Sequence, residues 1–192
     1  IRAIITTLAL GNIRRLRSAI RKSGIEPDRI HFLDLPLGHN PNHHKPHIMK
    51  EALQKGNLDA VFFIDADIIC CKDWRHFEEW VAAGIAVCSD VNYLHMPANH
   101  PQRAHYRRAL RELGLPCREV VGHANGGFIG VIREHIEIID GWGRLVDWID
   151  AGPDPSWDPW SVEAGFSKYD QDALNAALMA VDFPVSFVGY EG

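Results

Sequence analysis

Leu58-Asp59-Ala60-Val61-Phe62-Phe63-Ile64-Asp65-Ala66-Asp67 is the stretch from which the fold can be read. From Leu58 to Ile64 it is apolar almost throughout, as a central strand buried on both faces must be. It stops at two carboxylates one residue apart. Working back from it, Ile1–Leu10 has strand character and is punctuated by Gly11-Asn12. Ile13 to Ser23 reads as a basic amphipathic helix, with Ile13, Leu16 and Ile20 at helical spacing and Gly24 as its stop. Arg29 to Leu35 reads as a second strand, Pro36 to Pro46 as a polar loop, and His47 to Lys55 as a helix ended by Gly56-Asn57. Downstream, Asp73 N-caps a helix that runs to Ala83, Ile85–Cys88 is a short strand, and Pro101–Leu113 is a basic helix. Arg118–Val121 reads as a strand, and Asn125–Arg133 as a glycine-rich turn leading into another. A helix over Glu134–Ile149, a proline-rich loop over Asp150–Phe166, a helix over Asp170–Val181 and a strand over Val185–Val188 complete the chain. Strands that alternate with helices predict an α/β fold: a mostly parallel central sheet with helices on both faces and ligands at the carboxyl ends of the strands.

The composition suits that reading. The chain has 192 residues, which predicts one domain over 1–192. Apolar residues make up 46% and charged residues 23%, which excludes a disordered chain. No apolar run approaches the ~20 residues of a membrane span. Lys and Arg number 20 against 25 Asp and Glu, for a net charge of −5. That balance argues against a nucleic-acid partner, yet it leaves room for a local basic group facing a phosphorylated small molecule. Cys70, Cys71, Cys88 and Cys117 form no zinc-ligand spacing, and adjacent Cys70 and Cys71 do not readily bridge each other. Free thiols predict a reducing compartment and a cytoplasmic location. The chain enters an apolar strand directly, with no signal-peptide pattern, and it begins at Ile1, as a trimmed piece of a longer protein would.

Four short motifs carry chemistry. Asp65 and Asp67 end a buried strand, and oxygen-only ligands there suit Mg²⁺ or Mn²⁺ gripping a diphosphate. The bare Asp-x-Asp pattern is weak, since it also occurs at Asp170/Asp172, and such acids also cap helices at solvated strand ends. Placing two acids beside so apolar a strand costs desolvation unless they bind something. Asn125-Gly126-Gly127 lets a backbone approach a ligand closely and offers an amide to sugar hydroxyls; alone it reads as a plain turn. Asp170-Gln171-Asp172 reads alone as acids favouring a helix N-terminus, with Leu174 and Leu178 in the core. Lys45-Pro46 brings a cation suited to a phosphate, or else a solvated surface lysine. Among the other polar residues, His43, His44 and His47 read as loop surface rather than a metal site. His123, two residues before Asn125, faces a ligand or is a structural histidine. Arg103, Arg107, Arg108 and Arg111 read as a solvated helix face. Trp157 and Trp160 either stack on an acceptor sugar or cover the core edge.

In order, Lys45-Pro46, Ile64-Asp65-Ala66-Asp67, Asn125-Gly126-Gly127 and Asp170-Gln171-x-x-Leu174-Asn175 resemble the nucleotide-sugar glycosyltransferases of the GT-A fold. The closest likeness is to the retaining type of glycogenin and the bacterial galactosyltransferases, over about residues 1–188. The resemblance implies a Rossmann-like GT-A domain in which Asp65 and Asp67 hold Mn²⁺ (or Mg²⁺) on the diphosphate of a UDP-sugar. It implies donor contacts from Lys45, Asp65, Asn125, Gly126 and Gly127. It places the nucleoside at the end of the first strand, around Thr6, Thr7 and Leu8. Asp170 and Gln171 would stand at the sugar and the reacting face. The family's late histidine motif is absent, His135 being the last histidine, and so is the aromatic after the first strand. These departures imply a domain shortened at its C-terminus or an incomplete metal site.

The expected function is therefore metal-dependent transfer of a sugar from a nucleotide diphosphate to an acceptor that the motifs do not specify. One alternative is a non-catalytic nucleotide-sugar-binding domain. Another is a phosphatase of the haloacid dehalogenase type, with Asp65 as nucleophile. In that type a Thr or Val normally stands where this chain has Ile69.

Overall fold

Alternation along Ala60–Ile64 sorts its side chains onto two faces of a sheet. Val61 and Phe63 enter the larger core, and Ala60, Phe62 and Ile64 enter a smaller one on the other side. All five are buried. In the computed structural model the described residues are 3–6, 18, 21–22, 24, 41–55, 57–93, 95–152, 165–166 and 169–189. Their strands are β1 (Ala3–Thr6), β2 (Ala60–Ile64), β3 (Ile85–Ser89), β4 (Ala124–Ile132) and β5 (Val185–Val188). Their α-helices are α1 (Lys45–Lys55), α2 (Trp74–Ala82), α3 (Pro101–Glu112), α4 (Glu137–Ala151) and α5 (Tyr169–Leu178).

Helices cover both faces. Met49 and Leu53 of α1, Tyr106 and Leu110 of α3, Trp142 and Leu145 of α4, and Leu174 of α5 build the larger core. Phe77, Trp80 and Val81 of α2 build the smaller one with Phe62 and Phe128. Asp73 caps α2 as its sequence predicts, accepting from the Arg75 N–H at 2.9 Å.

The sheet is mixed, and this corrects the expectation of a mostly parallel one. Its order is β1-β2-β4-β3-β5. β1 pairs with β2 and β3 with β5 in parallel, whereas β4 runs antiparallel to both β2 and β3. The space for β4 is made by Gly130, which lies opposite both Phe62 and Ala86. A Cβ there would stand 2.6 Å from the Phe62 ring, so only glycine fits.

Other boundaries also differ. Arg118–Val121 is not a strand; the Arg118 N–H bonds to the Met179 carbonyl instead. Asn125-Gly126-Gly127 is not a turn before β4 but its opening residues. α1 begins at Lys45, after a 3₁₀ turn over Pro41–His44, and another such turn over Arg133–His135 precedes α4. The expected strand over 29–35, Trp157, Trp160, Thr7, Leu8 and most of the helix expected over 13–23 lie outside the described residues. No helix among the described residues is long and apolar enough to cross a membrane.

Candidate functional site

Parallel β1 and β2 end side by side, with Thr6 opposite Phe63. Asp65 follows at the carboxyl end of β2, and its N–H extends the ladder to the Gly127 carbonyl of β4 at 2.8 Å. Because β4 runs the other way, its first residues meet the last ones of β2. The opening turn of α5 lies against them. A Cβ on Gly126 would come within 3.0 Å of the Gln171 Cβ, and one on Gly127 within 2.9 Å of the Asp65 carboxylate. Both glycines are therefore close-approach residues.

Lys45, the first residue of α1, ties these pieces together. Its Nζ donates to the Gly126 carbonyl at 3.0 Å and lies 2.7 Å from Asp170 Oδ2 and 3.3 Å from Asp65 Oδ1. An ammonium has three hydrogens, and three acceptors surround this one. Its side chain is 2% exposed, so Lys45 is no surface lysine. Asn42, Lys45, Asp65, Asn125, Gly126, Gly127, Asp170 and Gln171 line one cavity of about 220 Å³. Residues drawn from all four sequence motifs thus converge. Asp67 does not line the cavity; it is exposed in the turn that the Ile68 N–H closes on the Asp65 carbonyl. Thr6 is placed by its backbone alone, next to β2.

Behind the cavity is a second layer of buried polar groups. Gln171 Oε1 accepts from the Gly126 N–H at 3.1 Å, and its Nε2 donates to Asp90 Oδ2 at 2.6 Å. His123 Nδ1 lies 3.6 Å from the same Asp90 oxygen and its Nε2 lies 4.0 Å from Asp172. Asp172 is fully buried and accepts from Tyr106 at 2.6 Å and from Gln102 at 2.7 Å. Burial first, and then the neighbouring Asp172, push the Tyr106 hydroxyl well above its ordinary range. Asn175 clamps both backbone groups of Ala124.

Several polar residues differ from their expected places. Arg103 is not on a solvated face: it is fully buried, donates to the Gly122 carbonyl at 2.6 Å, and burial lowers its pKa. His43 is not loop surface: it is buried, bonded to Asp150 at 2.7 Å and stacked on Tyr169. His123 sits in the buried layer. Asn42 and Asp90 were not singled out from the sequence. Asp90 had a signal, since it ends an apolar strand as Asp65 does.

Among the described residues no group of three or more His, Cys, Asp or Glu stands together for a metal. What the chain offers is Asp65 and Asp67, two oxygen donors of which Asp65 already faces Lys45. Carboxylate oxygens are the donors that a hard cation such as Mg²⁺ takes. No protein-family model matches the chain, and no curated protein matches it either.

Proposed function

We propose that the chain is a GT-A-type glycosyltransferase that takes a sugar from a nucleotide-diphosphate donor, in the first place a UDP-sugar. One observation carries the reading: side chains from four sequence segments, Lys45, Asp65, Asn125 and Asp170-Gln171, line the same small polar cavity at the carboxyl ends of β1 and β2. Strand ends of this kind are where α/β sheets bind ligands. At about 220 Å³ the cavity falls below the ~300–1,000 Å³ that engulfs a drug-sized ligand. It therefore suits the sugar end of a donor whose nucleotide lies outside, towards β1.

Mn²⁺ or Mg²⁺ on Asp65 and Asp67, when bound, would supply Lewis-acid stabilisation of the departing diphosphate. The chain's own residues do the rest. Lys45 holds Asp65 and Asp170 at a fixed separation. Asp170 keeps a carboxylate oxygen for a sugar hydroxyl, and Asn125 Oδ1 already turns back onto the Gly127 N–H at 2.8 Å, which directs its amide NH₂ outward. Asp172 lies outside the cavity, under Tyr106 and Gln102, so the acids at 170 and 172 do not face the cavity as a pair.

The test is calorimetric titration of UDP with and without Mn²⁺, on the native chain and on Asp65→Asn/Asp67→Asn. The expected result is Mn²⁺-dependent binding that the variant loses, with slow release of free sugar from a UDP-sugar. Binding without release would make the chain a binding domain. No binding by folded protein would overturn the reading.

A further inference from the structure

Gln171 is a cavity residue whose amide is oriented by chemistry rather than by fit. A carboxylate only accepts and a backbone N–H only donates. With Asp90 Oδ2 at 2.6 Å on one side and the Gly126 N–H at 3.1 Å on the other, the nitrogen must face Asp90 and the oxygen must face Gly126. A flipped amide would set acceptor against acceptor and donor against donor. Gln171 is thus a strut between the end of β3 and the start of β4, and the next carbonyl it steadies, that of Gly126, holds Lys45.

Asp90 is itself held from several sides. Its N–H donates to the His123 carbonyl at 2.8 Å, its Oδ1 accepts from the Asn92 N–H at 2.9 Å, and the His123 ring lies against its Oδ2. Asp90 and His123 are each 1% exposed. Burying a carboxylate is costly, and an apolar residue would fill the same place at no such cost.

We propose that Asp90, backed by His123, is the positioning residue of this cavity: its carboxylate sets the direction of the Gln171 amide, and through it the Gly126 main chain and the reach of Lys45. The inference rests on the glycosyltransferase reading for its kinetic consequence and on the geometry alone for its structural one.

The experiment compares Asp90→Ala with Asp90→Asn, using UDP-glucose and UDP-galactose as donors and Mn²⁺·UDP as the binding probe. Asn loses the charge and one of the two acceptors, so its single oxygen serves either Gln171 or the Asn92 N–H. The Ala variant should lose about 10- to 30-fold in kcat for donor hydrolysis, the scale of one charge-assisted hydrogen bond. Its KM and its Kd for Mn²⁺·UDP should stay within about threefold, and Asn should recover part of the lost kcat. Equal losses in both variants, or a loss in KM with kcat unchanged, would overturn the proposal. A second readout needs neither variant to fold. In native ¹⁵N-labelled protein, the Gln171 side-chain amide, assigned by its absence in Gln171→Glu, should be protected from hydrogen exchange. Exchange at the rate of a free amide overturns the strut. If the native chain binds no Mn²⁺·UDP and releases no sugar, the functional reading falls, while this exchange measurement still decides the positioning role.

Discussion

Replacing Lys45 by Met keeps the buried stem and removes only the charge. The ammonium it deletes has three partners of unequal worth. The Asp170 contact, 2.7 Å with that carboxylate 13% exposed, is a charge-assisted hydrogen bond worth about 1.5–3 kcal/mol. The Asp65 contact is longer, 3.3 Å, and its carboxylate is 36% exposed, so solvent screening reduces it to about 0.5 kcal/mol. The Gly126 carbonyl loses a buried donor at 3.0 Å, about 1 kcal/mol more. The expected loss is about 3–4.5 kcal/mol, roughly a 10 °C fall in Tm for a chain of this size. Urea unfolding followed by circular dichroism measures it, with an unchanged m-value showing that the unfolding still exposes the same surface. Asp170→Asn in the Lys45→Met background should recover about 2 kcal/mol, because the repulsion left behind is removed with it. A loss below about 1 kcal/mol, or strictly additive single variants, would refute the view that Nζ holds the two carboxylates together.

Two further outcomes follow from the fold. Gly130→Ala should destabilise by about 1–3 kcal/mol through the Phe62 ring, with Phe62→Leu relieving part of it, as measured by the urea midpoint. Tyr106, whose folded pKa is raised well above the ordinary value of 10.0, should keep its proton as the pH rises past that value. The unfolded chain then releases a proton that the folded one retains, so stability declines by about 1.4 kcal/mol per pH unit above pH ~10. Tyrosinate absorbance against pH, compared with Tyr106→Phe and alongside unfolding at each pH, checks both; Tyr106 ionising near ~10 in folded protein contradicts the buried Asp172 contact.

Local signals carried much of this architecture into the sequence. The apolar run before Asp65 and the Asp73 cap each act within a few residues, and each stands where its chemistry suggested; the acids that open α5 instead reach distant partners, Asp170 facing Lys45 and Asp172 facing Tyr106 and Gln102. Strand direction is a different kind of property. A strand alternates its side chains with the same period whichever way it runs, so Ala124–Ile132 carries no mark of its reversal between β2 and β3. The glycines at 126 and 127 were legible as close-approach residues, but their use inside a strand depends on Asp65 and Gln171, distant in sequence. Lys45 reads locally as a phosphate contact or a solvated surface lysine, because nothing local shows that its partners are Asp170, Asp65 and a carbonyl on β4. Asp90 carries the same local signal as Asp65, an acid after an apolar strand, but such acids are common, and its partner 81 positions away is what singles it out.

The reversal of β4 has a consequence for how this cavity can change. Its floor is made of main chain: the Gly126 carbonyl and N–H and the Gly127 carbonyl hold Lys45, Gln171 and the Asp65 backbone in turn. Peptide groups are the same whatever residue is encoded, and the two glycines leave no room for a Cβ. Substitution can therefore reshape the cavity from its walls, at Asn42, Asn125 and Asp170, while the floor keeps its main-chain chemistry.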